Sequence, residues 1–452
     1  MRFQTCTTAL SLVAFLVACS AQNDKTTPPD ELGTDSGGDD TAVPQLDAPV
    51  EDTSGFNVDA LPETDGSVSC ATGDCDKDGY TAADGDCNDL DGTVNPEAFD
   101  FLADKLDNDC NGVVDDPVVN CAADTTSKDA LVAARAMDMC RQKTRTKAGP
   151  VFDPLTKAEW FSTKRTGITT TIVPGNEHSI AIDVLGAFGT NAPRNGTSMF
   201  GLQSGPMLSK DPRASKWMDG GGAKVADGCA AIPLNVDDCK SLTNGTSPLP
   251  GVPTAIADYT ELRLSIQVPS NAQAMTFDFS FLSTEFNQYW HTAFNDAFFA
   301  IATTKKFTTN VAKDATGLAV TVNSGFFQLC PAKPGPAGII SPEALVNCVG
   351  VDGDKTKSIF GTLRGTNFDG AGIGSTDETV VDAASGKKYI YGGGSGWLTT
   401  KFGVEPGEKI VLRLMIMDTS DGILDSGAII DNMSWEKAPP KTATGDTGRP
   451  PS

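Results

Sequence analysis

The chain has 452 residues and a net charge of −24 at pH 7, from 59 acidic and 35 basic side chains. The acidity is uneven, because residues 20–118 carry 26 acidic and three basic side chains, whereas residues 119–452 carry 33 and 31. No basic stripe is available to neutralise phosphates, which argues against nucleic acid as a partner. The acidic part is instead expected to bind cations.

The N-terminus carries a short apolar run, residues 9–18, behind Arg2. The run is shorter than the roughly 20 residues that a membrane-spanning helix needs, and its layout is typical of a secretory signal. The stretch 16–19 (LVAC) resembles the bacterial lipoprotein signal. That resemblance implies removal of residues 1–18, lipidation of Cys19 and anchoring to a membrane outside the cytoplasm. Ser20 rather than Asp follows Cys19, which favours the outer membrane or cell surface over the inner membrane. The alternative is an ordinary signal peptide with a chance cysteine.

Ten cysteines remain after Cys6 in the signal and Cys19. An even number in an exported chain favours disulfides. Zinc is disfavoured because the chain has no CxxC motif and only two histidines. Connectivity cannot be fixed from sequence, but pairing neighbours along the chain predicts Cys70–Cys75, Cys87–Cys110, Cys121–Cys140, Cys229–Cys239 and Cys330–Cys348.

Two segments are poor in large apolar side chains. Residues 19–69 are rich in Asp, Gly, Thr, Ser and Pro, and residues 438–452 are of similar character. Such segments cannot bury enough surface to offset the entropy of ordering. We therefore predict a disordered acidic tether behind the lipid and a disordered C-terminal tail.

The first acidic loop places carboxylates at alternate positions. Asp74, Asp76 and Asp78 are followed by Gly79, the order found in the front half of an EF-hand calcium loop. Side chains two residues apart converge on one hard cation, and the glycine permits the sharp turn. Gly85 stands where an EF-hand has its glutamate, so a complete EF-hand is excluded.

A second loop repeats this spacing. Asp107, Asp109 and Asn111 precede Gly112, and Asp115 adds a carboxylate at the ninth position. The repeat predicts a second set of oxygen ligands.

The whole stretch 74–116 resembles the MopE-type metal-binding motif of bacterial surface proteins, including the segments 85–89 (GDCND) and 95–98 (NPEA). The resemblance implies an extracellular metal module, which we assign to residues 70–118. The family's name points to copper, but copper favours imidazole and sulfur ligands, and residues 74–116 contain no His or Met. The all-oxygen set predicts calcium, with copper less favoured. The alternative is a solvated acidic linker.

Beyond the module, one helix and many strands are predicted. Residues 127–140 suit a helix with Leu131, Ala134 and Met137 on one face. Alternation of apolar and polar residues, with Gly- and Pro-rich connections, indicates antiparallel strands. The predicted fold over 119–437 is therefore mainly β, a large antiparallel β-sandwich or jelly roll behind a small disulfide-stapled acidic module. Examples of the predicted strands are residues 167–173, 179–185, 261–268, 274–282, 297–302, 409–417 and 427–435.

Four stretches within residues 120–436 resemble the choice-of-anchor L domain of surface proteins. They are residues 129–134 (DALVAA), 281–299 (from FLSTEFN to FNDAFF), 392–400 (GGGSGWLTT) and 418–432 (DTSDGILDSGAIIDN). The resemblance implies a surface location, whereas the family has no established molecular activity.

A second acidic cluster lies between two strong strand signals near the C-terminus. Crowded carboxylates repel one another unless a cation, a basic side chain or hydrogen-bond donors offset the charge. The pattern predicts either a second calcium or ligand site, which could hold sugar hydroxyls, or a buried polar network accepting backbone N–H groups. The candidate residues are Glu285, Asn295, Asp296, Asp418, Asp421, Asp425, Asp431 and Asn432.

Catalysis is poorly supported. The chain has no HExxH, GxSxG or Walker motif, and Glu285 with Asp296 is weak evidence for a glycosidase pair. We predict a lipid-anchored, calcium-binding surface protein whose β-sandwich serves adhesion or interaction, with an extracellular polysaccharide or surface protein as partner. The alternatives are a secreted polysaccharide hydrolase and a purely structural envelope protein.

Overall fold

The chain divides into two units, Met1–Ser67 and Val68–Ser452, of which the first lies outside the described residues. The predicted signal, Cys19 and the whole predicted tether therefore lie outside the described residues. No helix in the described part is long and apolar enough to cross a membrane. The computed structural model describes residues 73–115, 121, 127, 129–140, 152–166, 169–174, 181–207, 225, 228–232, 238–239, 255–285, 295–314, 317–324, 326, 366–368, 380–381, 388–389, 393–419, 422 and 424–449.

Strands dominate the described residues. In chain order the elements are α1 (Ala130–Ala136), β1 (Leu155–Thr166), β2 (Thr169–Pro174), β3 (Ile182–Leu185), β4 (Met199–Gln203), α2 (Gly228–Ala231), β5 (Ile256–Gln267), β6 (Ala274–Ser283), β7 (Ala297–Thr303), β8 (Thr308–Asn310), β9 (Val320–Thr321), β10 (Val380–Val381), β11 (Lys388–Tyr389), β12 (Gly393–Gly403), β13 (Lys409–Thr419), β14 (Ser426–Glu436) and β15 (Asp446–Gly448).

The strands form two antiparallel sheets. One follows the order β2-β1-β5-β13-β7-β8, with β9 also paired to β7. The other follows the order β15-β12-β6-β14-β4-β3, and β10 and β11 form a separate pair. The prediction of a mainly β, antiparallel fold is confirmed.

Alternation along the strands builds the core. Leu262, Leu264 and Ile266 of β5 lie in one apolar cluster with the phenylalanines of β6. The ring centroids of Phe279 on β6 and Phe298 on β7 are 4.7 Å apart, so side chains from the two sheets meet directly. Side chains at every second position of a strand share a face, which explains why the alternating segments form the inner faces.

The outer face of β5 and β13 carries a charged network around Glu261. Arg413 Nε and Arg263 Nε donate to Glu261 Oε1 at 2.8 and 2.7 Å. Tyr259 Oη donates to Glu261 Oε2 at 2.5 Å. Glu261 is fully buried, while the guanidinium of Arg263 lies 3.6 Å from the centre of the Phe161 ring.

The helix is shorter than predicted, and its buried face differs in part. Asp129 caps α1 by accepting the Leu131 N–H at 2.8 Å, and Asp138 beyond the helix has a left-handed backbone with φ 69°. Ala134 and Met137 are buried as predicted, but Leu131 is 47% exposed. Alanines carry the buried face instead, which lets the helix approach the sandwich closely.

The prediction of a disordered tail at 438–452 is wrong as far as residue 449. The strand β15 pairs with residues 399–401 of β12, and Thr447 Oγ1 lies 2.8 Å from Thr400 Oγ1. Gly445 has φ +109°, and a Cβ at this position would lie 2.5 Å from the Val311 carbonyl oxygen. Backbone pairing and this close approach order a segment that has few apolar side chains.

Three predicted disulfides are confirmed, namely Cys87–Cys110, Cys121–Cys140 and Cys229–Cys239. Cys75 is also disulfide-bonded. Cys70, Cys330 and Cys348 lie outside the described residues.

Candidate metal centre

The first acidic loop brings three carboxylates together. Ligand oxygens of Asp74, Asp76 and Asp78 all lie within 4.8 Å of one another. Backbone donors hold this geometry, since Asp74 accepts the N–H groups of Lys77 and Gly79 at 2.6 and 3.0 Å. Asp76 accepts the Asp78 N–H at 3.1 Å. The spacing in the sequence therefore predicts the convergence correctly.

Each of two carboxylates in this loop keeps one oxygen without a hydrogen-bond donor. Asp76 Oδ2 and Asp78 Oδ2 are buried and have no partner among the described residues. Burial raises the pKa of the Asp76 carboxyl, and the charges of Asp78 and Asp74 add to the effect. Buried anionic oxygens without donors are costly unless a cation or proton neutralises them.

Asp86 is a fourth carboxylate at this loop, although it is not among the ligands predicted from the sequence. The side chain is 3% exposed, and its Oδ2 has no partner among the described residues. Burial, followed by the charges of Asp78 and Asp76, raises its pKa to about 6, although the Asn88 N–H opposes the shift. The only signal in the sequence is the position of Asp86 in the GDC segment of the motif.

The second loop repeats the hydrogen bonding of the first. Asp107 accepts the N–H groups of Asn111 and Gly112 at 3.0 and 2.8 Å. Asp109 also accepts the Asn111 N–H, at 3.2 Å. Asp115, the carboxylate at the ninth position, accepts the Lys105 N–H on its Oδ1 at 3.0 Å. Among the described residues, only the first loop places three acidic ligand atoms within 4.8 Å.

Burial distinguishes Asp109 within the second loop. Burial, followed by the charges of Asp100 and Asp107, raises the pKa of Asp109 to about 7, although Asn111 donates to the ionised carboxylate. The Cys87–Cys110 disulfide joins the chain beside Asp109 to the chain beside Asp86. The disulfide thus links the segment that contains Asp86 to the second loop.

The acidic module packs against the sandwich as part of one unit, Val68–Ser452. Asn271 Oδ1 accepts the Phe99 N–H at 2.8 Å, and its amide donates to the Phe99 and Thr93 carbonyls at 2.9 and 3.1 Å. Phe99 and Phe101 pack against the main core cluster. The predicted boundary between 118 and 119 therefore does not separate two compact units.

Most members of the second predicted cluster lie at one end of the sandwich. Glu285 Oε2 accepts the Asp296 N–H at 3.2 Å, and Asn295 Oδ1 accepts the Asn323 N–H at 3.1 Å. Asp418 and Asp425 are buried at the same end, whereas Asp421 lies outside the described residues. Glu285 and Asp296 are themselves buried, so neither carboxylate can reach a polysaccharide here.

Asp431 and Asn432 belong to a different cluster. Asp431 lies six positions after Asp425 along extended chain, a distance of roughly 20 Å. Asp431 Oδ2 accepts the backbone N–H groups of Arg194 and Asn195 at 2.5 and 3.3 Å. Asn432 Nδ2 donates to Asp278 Oδ2 at 3.1 Å.

Asp431 also lies beside a second acidic group. Burial, followed by the charge of Asp138, raises the pKa of Asp431 to about 7, although backbone donors oppose the shift. This arrangement fits the predicted alternative of a polar network that fixes neighbouring loops.

Comparison with known proteins supports a metal-binding role for the second acidic loop, whereas Asp74, Asp76 and Asp78 lie outside the matched residues. Residues 86–116 match the family described as "Putative metal-binding motif", Cu-binding MopE, which includes Asp86 and the second loop. No curated protein and no solved structure matches the chain. The chain thus carries a metal-binding motif joined to an antiparallel β-sandwich.

Proposed function

We propose that this protein binds calcium through its acidic module at the bacterial surface. One observation carries the proposal: the oxygens of Asp74, Asp76 and Asp78 converge within 4.8 Å, and two of these residues hold buried oxygens that have no donor among the described residues. Convergent carboxylates are the ligands that calcium takes, together with backbone and amide oxygens. Asp86, Asp107, Asp109 and Asn111 supply further oxygens in the same module.

The donor chemistry favours calcium over copper. Residues 74–116 offer no His or Met, and the three cysteines in this stretch, Cys75, Cys87 and Cys110, are disulfide-bonded. A disulfide sulfur is no longer a thiolate, and copper prefers imidazole and soft sulfur ligands. Oxygen ligands suit a hard cation.

Removing two carboxylates from the first loop should abolish calcium binding there. We expect the double variant Asp76→Asn, Asp78→Asn to lose one calcium per chain in calorimetric titration, because amides carry no charge to balance the ion. Wild-type sites of this kind should have a Kd on the order of 10⁻⁴ to 10⁻³ M, so the titration needs millimolar calcium.

Asp84→Asn is the matched control, since Asp84 is exposed and accepts hydrogen bonds from Thr81 within the same module. This variant should titrate like the wild type. Equal calcium binding by the double variant and the control would contradict the proposed loop. Tight copper binding by the wild type without any response to calcium would instead favour copper as the bound metal, as the family's name implies.

The surface location rests on the lipoprotein-like signal and the acidic tether. The proposal is that lipid on Cys19 holds the chain at the outer membrane, and that the tether places the sandwich where it can contact extracellular polysaccharide or another surface protein. The resemblance of four stretches to choice-of-anchor L domains supports the same location.

Cys19→Ser should leave the chain unlipidated. We expect metabolic labelling with a radioactive fatty acid to mark the wild type and not the variant, because the cysteine thiol is the acceptor. Cys6→Ser, which changes a cysteine inside the signal, is the control and should keep the label. Labelling of the Cys19→Ser protein would refute the anchor.

A further inference from the structure

Four aspartates lie at one end of the sandwich, where β6 and β13 end and β7 and β14 begin. Asp296 precedes β7, Asp418 lies near the end of β13, and Asp425 precedes β14. Asp258 lies near the start of β5, close to Ala257, the register partner of Asp418. All four side chains are no more than 1% exposed. We name these four residues the end cluster.

Asp418 is the member that points to a ligand. Both of its carboxylate oxygens are buried, and neither has a well-formed hydrogen bond among the described residues. Asp418 lies two positions after Ile416, a residue of the core cluster, so its side chain is on the strand face that looks between the sheets.

The surroundings of Asp418 add charge of the same sign. Burial, followed by the charges of Asp296, Asp258 and Asp425, raises the pKa of the Asp418 carboxyl well above its usual range. The nearby Ser204 hydroxyl lowers this pKa in part, although its well-formed hydrogen bonds are to the backbone of Ser426 and not to Asp418. Such a group is neutralised either by a proton or by a bound cation.

Asp296 acts as the positioning residue of the end cluster. Its Oδ1 accepts the Thr419 N–H at 3.0 Å, and its Oδ2 accepts the Ser426 hydroxyl at 2.6 Å. Thr419 closes β13 of one sheet and Ser426 opens β14 of the other. Through these two bonds Asp296 holds the neighbours of Asp418 and Asp425 close together.

We propose that the end cluster binds a hard divalent cation, calcium or magnesium, between the two sheets. Asp418, Asp425 and Asp258 are the charged ligands, and the Ser204 hydroxyl is a neutral one. The acidic oxygens are more widely spaced than those of Asp74, Asp76 and Asp78. Calcium accepts six to eight oxygens in a flexible shell, so neutral groups can complete this site. The site is separate from the acidic module and does not depend on the function proposed for it.

The test uses the full chain in a background that lacks most of the module's carboxylate ligands, made by changing Asp74, Asp76, Asp78, Asp86, Asp107 and Asp109 to Asn. Bound metal is measured by elemental analysis after dialysis against millimolar calcium or magnesium, and thermal melting is recorded with each ion and with a chelator. We expect the background chain to retain one divalent ion and to melt at a higher temperature with it. Adding Asp418→Asn should remove that ion and make melting independent of the ion.

Asp431→Asn is the matched control, because Asp431 is an equally buried aspartate of the sandwich whose oxygen accepts backbone N–H groups. It should keep the ion. If Asp418→Asn does not fold, Asp425→Asn replaces it with the same expectation. A background chain that binds neither ion overturns the end-cluster site, as does an Asp418→Asn chain that keeps its ion. Calcium binding by the first loop would be untouched by either result.

Discussion

Glu261→Gln should lower the free energy of unfolding by about 3–5 kcal/mol, the range measured when one partner of a buried ion pair is removed. Glu261 is fully buried and accepts hydrogen bonds from Arg413, Arg263 and Tyr259. The amide keeps the shape but removes the negative charge. Arg413, which is 8% exposed, would then lie beside Arg263 with no carboxylate between them. Urea unfolding of the variant and the wild type at neutral pH measures the difference.

The same substitution should change the acid sensitivity of the protein. Burial tends to raise the pKa of Glu261, but hydrogen bonds and charge from Arg413 and Arg263 outweigh it, and the net pKa is lowered. A carboxylate with a lowered folded-state pKa stabilises the protein above its unfolded pKa, about 4.3 for glutamate. That contribution is lost as the pH falls through the folded-state pKa. The wild type should therefore lose stability in this acid range more steeply than Glu261→Gln.

Glu405→Gln is the matched control for this prediction. Glu405 pairs with Lys305 and Lys306 at 3.7 and 3.1 Å, and both lysines are largely exposed. Surface pairs of this kind contribute little because water and salt screen them. Equal unfolding free energies for Glu261→Gln and Glu405→Gln would show that the buried network does not stabilise the sheet.

Strand prediction succeeds where the sequence itself carries a strand signal. Residues 261–268 and 274–282 alternate apolar with other side chains, residues 409–417 are rich in branched apolar residues, and each segment becomes a long central strand, although β6 and β13 are buried on both faces. The five residues of β4 (MFGLQ) show no such alternation, and they too are buried on both faces. The strand β15 depends on pairing with β12 and on the close contact at Gly445, neither of which local composition reveals.

The candidate sites also differ in how far the sequence alone predicts them. Loop one is predictable because the spacing of Asp74, Asp76 and Asp78 alone brings their oxygens together. Asp258 is not, because it lies inside a strand and meets Asp418 only through the register of β5 with β13. The separation of Asp431 from Asp425 likewise depends on the length of extended strand between them, which sequence proximity conceals.

Calcium bound to the acidic module should raise the melting temperature of the β-sandwich as well, since the module and the sandwich share one compact unit. Ligand that binds only the folded state stabilises it by RT ln(1 + [L]/Kd), about 2.7 kcal/mol when calcium is 100-fold above Kd. All five tryptophans follow residue 115, and Trp160 and Trp435 lie in the sandwich core. Tryptophan fluorescence therefore reports melting of the sandwich.

Asn271→Ala should break this coupling. The side chain of Asn271 makes three hydrogen bonds to the backbone of Phe99 and Thr93 in the acidic module. The Thr93 carbonyl also accepts the amide of Asn108 at 3.3 Å, and Asn108 lies between Asp107 and Asp109 of the second loop. Removing the Asn271 amide leaves part-buried backbone groups without their partner and should lower the free energy of unfolding by about 1–3 kcal/mol. The calcium-dependent shift in the melting temperature seen by tryptophan fluorescence should shrink, while calorimetric calcium binding persists.

Gln267→Ala is the control, because it removes only a bond to the Gly407 carbonyl within the sandwich and should keep the full shift. A wild-type tryptophan transition at the same temperature in calcium and in chelator would show that the module and the sandwich are energetically independent despite their contact.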